Sequence, residues 1–117
     1  MLNITGKLKV FLAVEPADMQ KSFNGLYALA TEKLKEDPQQ GALFAFTNKR
    51  KTLVKLLHFD GTGLWVGIKR LEKGTFSWPT GVDIEDGKLK LSNEALILLL
   101  NGVDLKGASM RPWYQRE

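Results

Sequence analysis

The chain has 117 residues, a length that fits one domain over residues 1–117. Hydrophobic residues make up 44% and charged residues 26%, as in soluble globular proteins, and the absence of cysteine excludes disulfides, thiolate metal sites and cysteine nucleophiles. No apolar run approaches the ~18 residues that span a bilayer, and the first residues lack a secretory pattern, so we expect a cytoplasmic protein with no membrane partner.

The N-terminal third predicts one strand and then one long helix. Residues 7–13 begin with alternating polar and apolar residues and continue apolar, which indicates a β-strand. Asp18 is predicted to cap a helix of about five turns, because its carboxylate can accept from the free N–H groups of a first turn. Apolar residues recur at spacings of three and four from Met19 to Leu34, and the sequence over residues 37–41 then ends this helix.

The central part predicts short strands separated by tight turns. Five strand-like runs are rich in β-branched or alternating apolar residues and lie at residues 42–46, 52–59, 64–71, 75–78 and 88–91. Residues 60–63 read Asp-Gly-Thr-Gly, which suits a hairpin turn and lacks the remaining ligands of a phosphate or calcium loop. Residues 81–87 are predicted to form a polar, acidic loop.

The C-terminal part predicts one short helix and an irregular tail. Ser92 precedes an apolar helix over residues 94–100, whose surface either closes the core or meets another protein. Residues 103–117 show no clear period. The predicted fold class is α+β: an antiparallel sheet, a meander of about five or six strands, with one long N-terminal helix and one short C-terminal helix.

Positive charge is concentrated in the middle of the chain. The net charge is +4, but residues 47–73 hold seven bases and two acids and therefore carry +5. The bases are Lys49, Arg50, Lys51, Lys55, Lys69, Arg70 and Lys73. In an up-down-up meander the 49–51 turn and the 69–73 segment fall at the same edge, so six of these bases are predicted to share one rim. Such a rim suits DNA phosphates; the alternative is solvated loops whose lysines protect sheet edges.

Aromatic residues lie among and beyond these bases. Phe59, Trp65, Phe76 and Trp78 could form a stacking platform for single strands, but we favour core packing, because a small sheet needs large side chains to fill its core. In the tail, three residues could contact a partner protein or fold back on the sheet: Arg111, Trp113 and Tyr114.

No pattern indicates catalysis, a metal site or a cofactor. His58 is the single histidine, whereas a metal site needs several ligands, so we interpret it as a structural strand residue. Asp83, Glu85 and Asp86 fall in one local loop, whereas catalytic carboxylates normally come from separate rigid elements. We therefore predict a protein that is not an enzyme.

Three blocks of the sequence resemble one known family. Residues 18–26 read Asp-Met-Gln-Lys-Ser-Phe-Asn-Gly-Leu, similar to the family signature Asp-Met-Arg-Lys-Gly-x-Asp-Gly-Leu. Residues 41–50 are similar to its Gly-Ala-Leu-Phe-Val-Phe-x-Asn-Arg-Arg block, and the longest match runs from Lys55 through Trp65 to Pro79. Together, in this order, they resemble the TnpB-type, or Orf2-like, accessory proteins of the IS66 group of bacterial insertion sequences.

This resemblance implies participation in transposition beside a separate, larger transposase that carries the acidic catalytic residues. On that basis we expect a non-catalytic accessory protein that binds DNA non-specifically through the basic hairpin rim. The alternative is an adaptor that joins the transposase complex without contacting DNA, using the C-terminal helix, the tail and the same rim.

Overall fold

Five β-strands form one mixed sheet in the computed structural model, which describes residues 8–79 and 86–102. The strands are β1 (Val10–Ala13), β2 (Leu43–Thr47), β3 (Leu53–Phe59), β4 (Leu64–Arg70) and β5 (Lys88–Leu91). Their order across the sheet is β4-β3-β2-β1-β5. β2, β3 and β4 form the predicted meander, and β5 lies at the far edge beside β1.

The prediction of a purely antiparallel sheet is wrong at one pair, because β1 and β2 run parallel. Every residue of these two strands is buried, as is typical of parallel neighbours in the centre of a sheet. A parallel pair needs a long crossover connection, and the segment between Ala13 and Leu43 provides one that contains the N-terminal helix. The α+β class is confirmed.

The N-terminal helix begins later and is shorter than predicted. Helix α1 spans Phe23–Ala28 and continues as one π-helical segment, Leu29–Lys33. The Asp18 carboxylate instead accepts from the backbone N–H of Gln20 (2.9 Å) in a local turn before the helix. The Thr31 hydroxyl donates to the backbone carbonyls three and four residues earlier (3.1 and 3.2 Å), a bond that bends and distorts helices.

The sheet separates two apolar layers, because successive side chains of a strand point to opposite faces. On the face that we call the α1 face, helix α1 and the π segment cover Phe11, Phe44, Phe46 and Leu57. On the opposite face, the α2 face, helix α2 (Asn93–Leu100) packs on Val10, Leu12, Leu43, Ala45 and Leu91. Each fully buried aliphatic or aromatic side chain stabilises the fold by roughly 1.5–3 kcal/mol. None of the helices in the described ranges is long and apolar enough to cross a membrane.

Residues 75–79 form an irregular segment on the α2 face and not a strand, and the backbone N–H of Trp78 donates to the carbonyl of Phe76 (3.0 Å) in a tight turn. The backbone N–H of Phe76 donates to the carbonyl of Lys51 (2.7 Å), and the indole N–H of Trp78 donates to the carbonyl of Ala13 (2.9 Å). Both aromatic rings are buried in the layer beneath α2, which confirms the core interpretation for these two residues.

The two serines that precede the helices allow a matched test of capping. The Ser92 hydroxyl accepts from the backbone N–H of Ala95 (3.0 Å), whereas the Ser22 side chain makes no capping bond to α1. We expect Ser92→Ala to lower the free energy of unfolding by about 1 kcal/mol and Ser22→Ala to change it by only a few tenths. Urea denaturation of both variants measures this difference, and equal losses would contradict the role assigned to Ser92.

Candidate nucleic-acid interface

The turn between β2 and β3 and the end of β4 lie at one end of the sheet, as the meander predicts. Leu53 at the start of β3 pairs with Arg70 at the end of β4, and the backbone N–H of Leu71 donates to the carbonyl of Thr52 (3.2 Å). The segment after β4 is therefore attached to the turn. We define the basic rim as the residues that these contacts bring to this end of the sheet: Lys49, Arg50, Lys51, Lys69, Arg70 and Lys73.

A side-chain network fixes the turn that carries the first three bases. The Asn48 side-chain oxygen accepts from the backbone N–H groups of Thr52 (2.9 Å) and Leu53 (3.3 Å), and its amide donates to the Thr52 hydroxyl (2.9 Å). Lys51 adopts a φ of 58°, in the left-handed region that non-glycine residues seldom occupy. The network holds the backbone in that conformation and leaves Lys49 and Arg50 exposed.

Four rim side chains are exposed and have no acidic partner. Among residues 8–79 and 86–102, ion pairs of Lys49, Arg50, Arg70 and Lys73 are absent. Glu72 is the one acid within the rim segments, so six bases minus one acid leave a local charge of +5. Because the positive charge is not neutralised within the described structure, it is available to an anion.

Lys69 joins the rim to the C-terminal end of helix α2. Its Nζ donates to the carbonyl of Leu100 (2.7 Å), where a cation also favours the negative end of the helix dipole. Gly102 follows with a φ of 78° and packs beside the Leu71 side chain. This bond uses one of the three ammonium hydrogens, and the Lys69 side chain remains exposed.

Lys55 does not belong to the rim, and its prediction as a DNA contact is corrected. The residue is only 7% exposed, and its Nζ donates to the backbone carbonyl of Lys21 (2.6 Å) on the α1 face. A lysine in a strand can bury its stem and bring its amine to a carbonyl, which periodicity alone does not reveal. Lys55 therefore ties β3 to the segment before α1.

Acidic residues lie at the same end of the sheet, on its other half. β1 runs parallel to β2, so both strands end at the end of the sheet that carries the basic rim. Glu15 follows β1 and Asp86 precedes β5, and both residues therefore lie at this same end. Asp86 and Glu36 pair with Lys88 (3.8 and 2.9 Å). The carboxylates at this end of the sheet therefore lie away from the basic rim, in the same region as Lys33 and Lys88.

The turn at residues 60–63 is structural, as predicted. The Asp60 carboxylate accepts from the backbone N–H groups of Thr62 and Gly63 (both 2.9 Å) and from the Trp65 indole (2.7 Å). These donors, with the Thr62 backbone N–H as the largest contribution, hold the pKa of Asp60 well below its usual range.

His58 lies on the α2 face opposite Trp65. Within the described part of the chain, no group of three or more His, Asp or Glu residues is placed to hold a metal ion.

Trp65 differs from the predicted core aromatics. Its side chain is 48% exposed on the α2 face of β4, whereas Phe76 and Trp78 are buried. The sequence contains no direct signal for this difference, because the difference depends on β4 being an edge strand beyond the reach of α2.

Several residues considered from the sequence lie outside the described residues: Asp83, Glu85, Arg111, Trp113 and Tyr114.

Comparisons with known proteins identify similar chains. A family model described as "IS66 Orf2 like protein" matches residues 8–110, which include the whole sheet, both helices and the basic rim. Two relatives come from Sinorhizobium fredii (strain NBRC 101917 / NGR234). Uncharacterized protein y4jC is 33% identical over 112 residues, covering 96% of this chain and 93% of the relative. Uncharacterized protein y4hO is 35% identical over 104 residues, covering 89% and 88%. No solved structure matches the chain.

Proposed function

The chain belongs to the IS66 Orf2-like family, and from that membership we propose that it acts in transposition as a non-catalytic accessory protein that binds DNA through the basic rim. The observation that carries the DNA-binding part is that exposed bases without an acidic partner in the described chain come from two separate segments, Lys49 and Arg50 from one and Arg70 and Lys73 from the other, and lie at one end of the sheet. Lysine and arginine side chains there neutralise backbone phosphates and release counterions.

The composition of the rim favours binding that is independent of base sequence. Contacts from Lys and Arg to phosphates position a protein on DNA but carry no sequence information. The one amide side chain within the β2–β3 turn, that of Asn48, already bonds Thr52 and Leu53. We therefore expect similar affinity for duplexes of unrelated sequence.

An adaptor role is supported less well by the described surface. A protein-docking site needs a contiguous apolar patch, whereas the four exposed large hydrophobic residues of the described chain are divided between the two sides of the sheet: Phe23 and Ile68 on the α1 face, Trp65 and Ile97 on the α2 face. Arg111, Trp113 and Tyr114 remain the proposed partner contacts for that alternative. Co-purification of the chain with the element's own transposase in the absence of DNA would favour it.

The salt dependence of duplex binding tests the proposed function. If the rim neutralises about five phosphates, log K falls with log salt at a slope near −4.5. Fluorescence anisotropy of a labelled duplex between 50 and 200 mM salt measures this slope. Two duplexes of unrelated sequence should give the same affinity, and no measurable binding at 50 mM salt would contradict the proposal.

A further inference from the structure

The residues that the structure describes leave part of the α2 face exposed. Helix α2 ends at Leu100 and belongs to the apolar layer that covers β5, β1, β2 and Val54 of β3, whereas Trp65, Gly67 and Lys69 of β4 remain exposed. The strand register places alternate residues of β3 and β4 on this exposed part of the face. We call the shallow groove there the open shelf; its lining includes Leu56, His58, Trp65, Gly67, Lys69 and Leu100.

The open shelf presents an aromatic ring beside a flat surface. The Trp65 indole is half-exposed, and its N–H donates to the Asp60 carboxylate (2.7 Å), which fixes the ring orientation. Gly67 follows on the same face, and a Cβ placed there would meet only the Leu56 side chain, at 4.0 Å. A planar ligand therefore has room to lie against the ring and the glycine backbone.

The charges along β4 favour a polyanion in one orientation. Asp60 lies beside the ring at one end of the strand, and Lys69 lies at the other end, next to the basic rim. The four residue steps from Trp65 to Lys69 span about 13 Å of strand. A ligand with planar groups and phosphates would place the planar group on Trp65 and its phosphates towards Lys69.

We propose that the open shelf binds single-stranded DNA by stacking a base on Trp65 while the flanking phosphates run to Lys69 and the basic rim. This inference rests on the proposed function and specifies which form of DNA the protein binds. In a duplex the faces of the bases are already stacked on one another, so an exposed aromatic ring selects unpaired bases. The stacking tolerates any base, because every base has a π-face.

Two substitutions test the shelf without touching the rim. Trp65→Ala removes the ring, and Gly67→Val fills the space beside it at a position where φ is not in the left-handed region. We expect each to weaken binding of a labelled oligothymidine at 50 mM salt, by about 5- to 150-fold for Trp65→Ala, and to leave duplex binding within about twofold. Trp65→Phe keeps a stacking face and should retain most of the affinity.

A control on the same strand separates the two faces of the sheet. Ile68 is 62% exposed on the α1 face, so Ile68→Ala should leave oligothymidine binding unchanged. Unchanged oligothymidine affinity in Trp65→Ala, with duplex binding intact, would overturn the stacking site and leave the proposed function standing. Sedimentation of Trp65→Ala provides a second test. If this variant loses self-association while its oligothymidine affinity stays unchanged, the open shelf binds a second copy of the chain, and the single-stranded DNA site is overturned. A wild-type chain that binds neither form of DNA would refute the proposed function and this inference together.

Discussion

Replacing two rim bases together, Lys49→Glu with Arg50→Glu, is expected to weaken duplex binding at 50 mM salt by about 100-fold or more. Both side chains are exposed at the tip of the β2–β3 turn and have no acidic partner among the described residues. Each lost phosphate contact removes about 0.9 from the magnitude of the salt slope, so the slope should fall by about 2. Anisotropy titrations of the variant and the wild type measure both quantities.

The matched control carries the same change in charge elsewhere. Lys9 and Lys33 are exposed outside the rim, and Lys9→Glu with Lys33→Glu lowers the net charge from +4 to 0, as the rim variant does. If both double variants lose equal affinity, net charge and not the rim governs binding. Lys55→Met should leave DNA affinity unchanged, because the amine is already bonded to the Lys21 carbonyl.

Phe76→Ala is expected to lower the free energy of unfolding by about 3–5 kcal/mol. The Phe76 ring is 1% exposed within the apolar layer under α2, so its removal leaves a cavity that the surrounding sheet and helix fill only in part. The backbone bond from Phe76 to Lys51 also attaches the 71–76 segment to the basic turn. Urea denaturation measures the loss of unfolding free energy, and the slope of that free energy against urea concentration should be the same in the variant and the wild type.

Phe23 supplies the comparison for that variant. Its ring is 46% exposed at the start of α1, so Phe23→Ala removes the same atoms with little cavity and should cost much less. A loss for Phe76→Ala as small as that for Phe23→Ala would mean that the 75–79 segment contributes little to the core.

Local patterns predicted the meander and missed the direction of β1. The turn residues between β2, β3 and β4 set short hairpins, and a short hairpin leaves only the antiparallel arrangement. β1 is apolar on both sides, and such a strand can pair in either direction; its partner is chosen by the crossover through α1. Asp18 is the cap that the sequence predicts, but its carboxylate closes a local turn with Gln20 and helix α1 begins after Ser22.

The rim was predictable because it follows from the meander, whereas two of its neighbours were not. Lys55 and Lys69 sit in adjacent strands with similar sequence surroundings, yet one amine reaches a carbonyl on the α1 face and the other a helix end. Trp65 and Trp78 likewise have the same side chain and opposite exposure. These differences depend on which parts of the sheet the helices cover, a property of the assembled fold.

The central position of β1 has a consequence for synthesis of the protein. β1 pairs with β2 on one side and with β5 on the other, and β5 with α2 comes last in the described chain. A nascent chain that has emerged only through β4 therefore has an open edge at β1 and no helix on one apolar face. Contacts between strands far apart in the chain generally slow folding, because a long loop must close before they form. Folding can be completed only after residues 88–100 have left the ribosome.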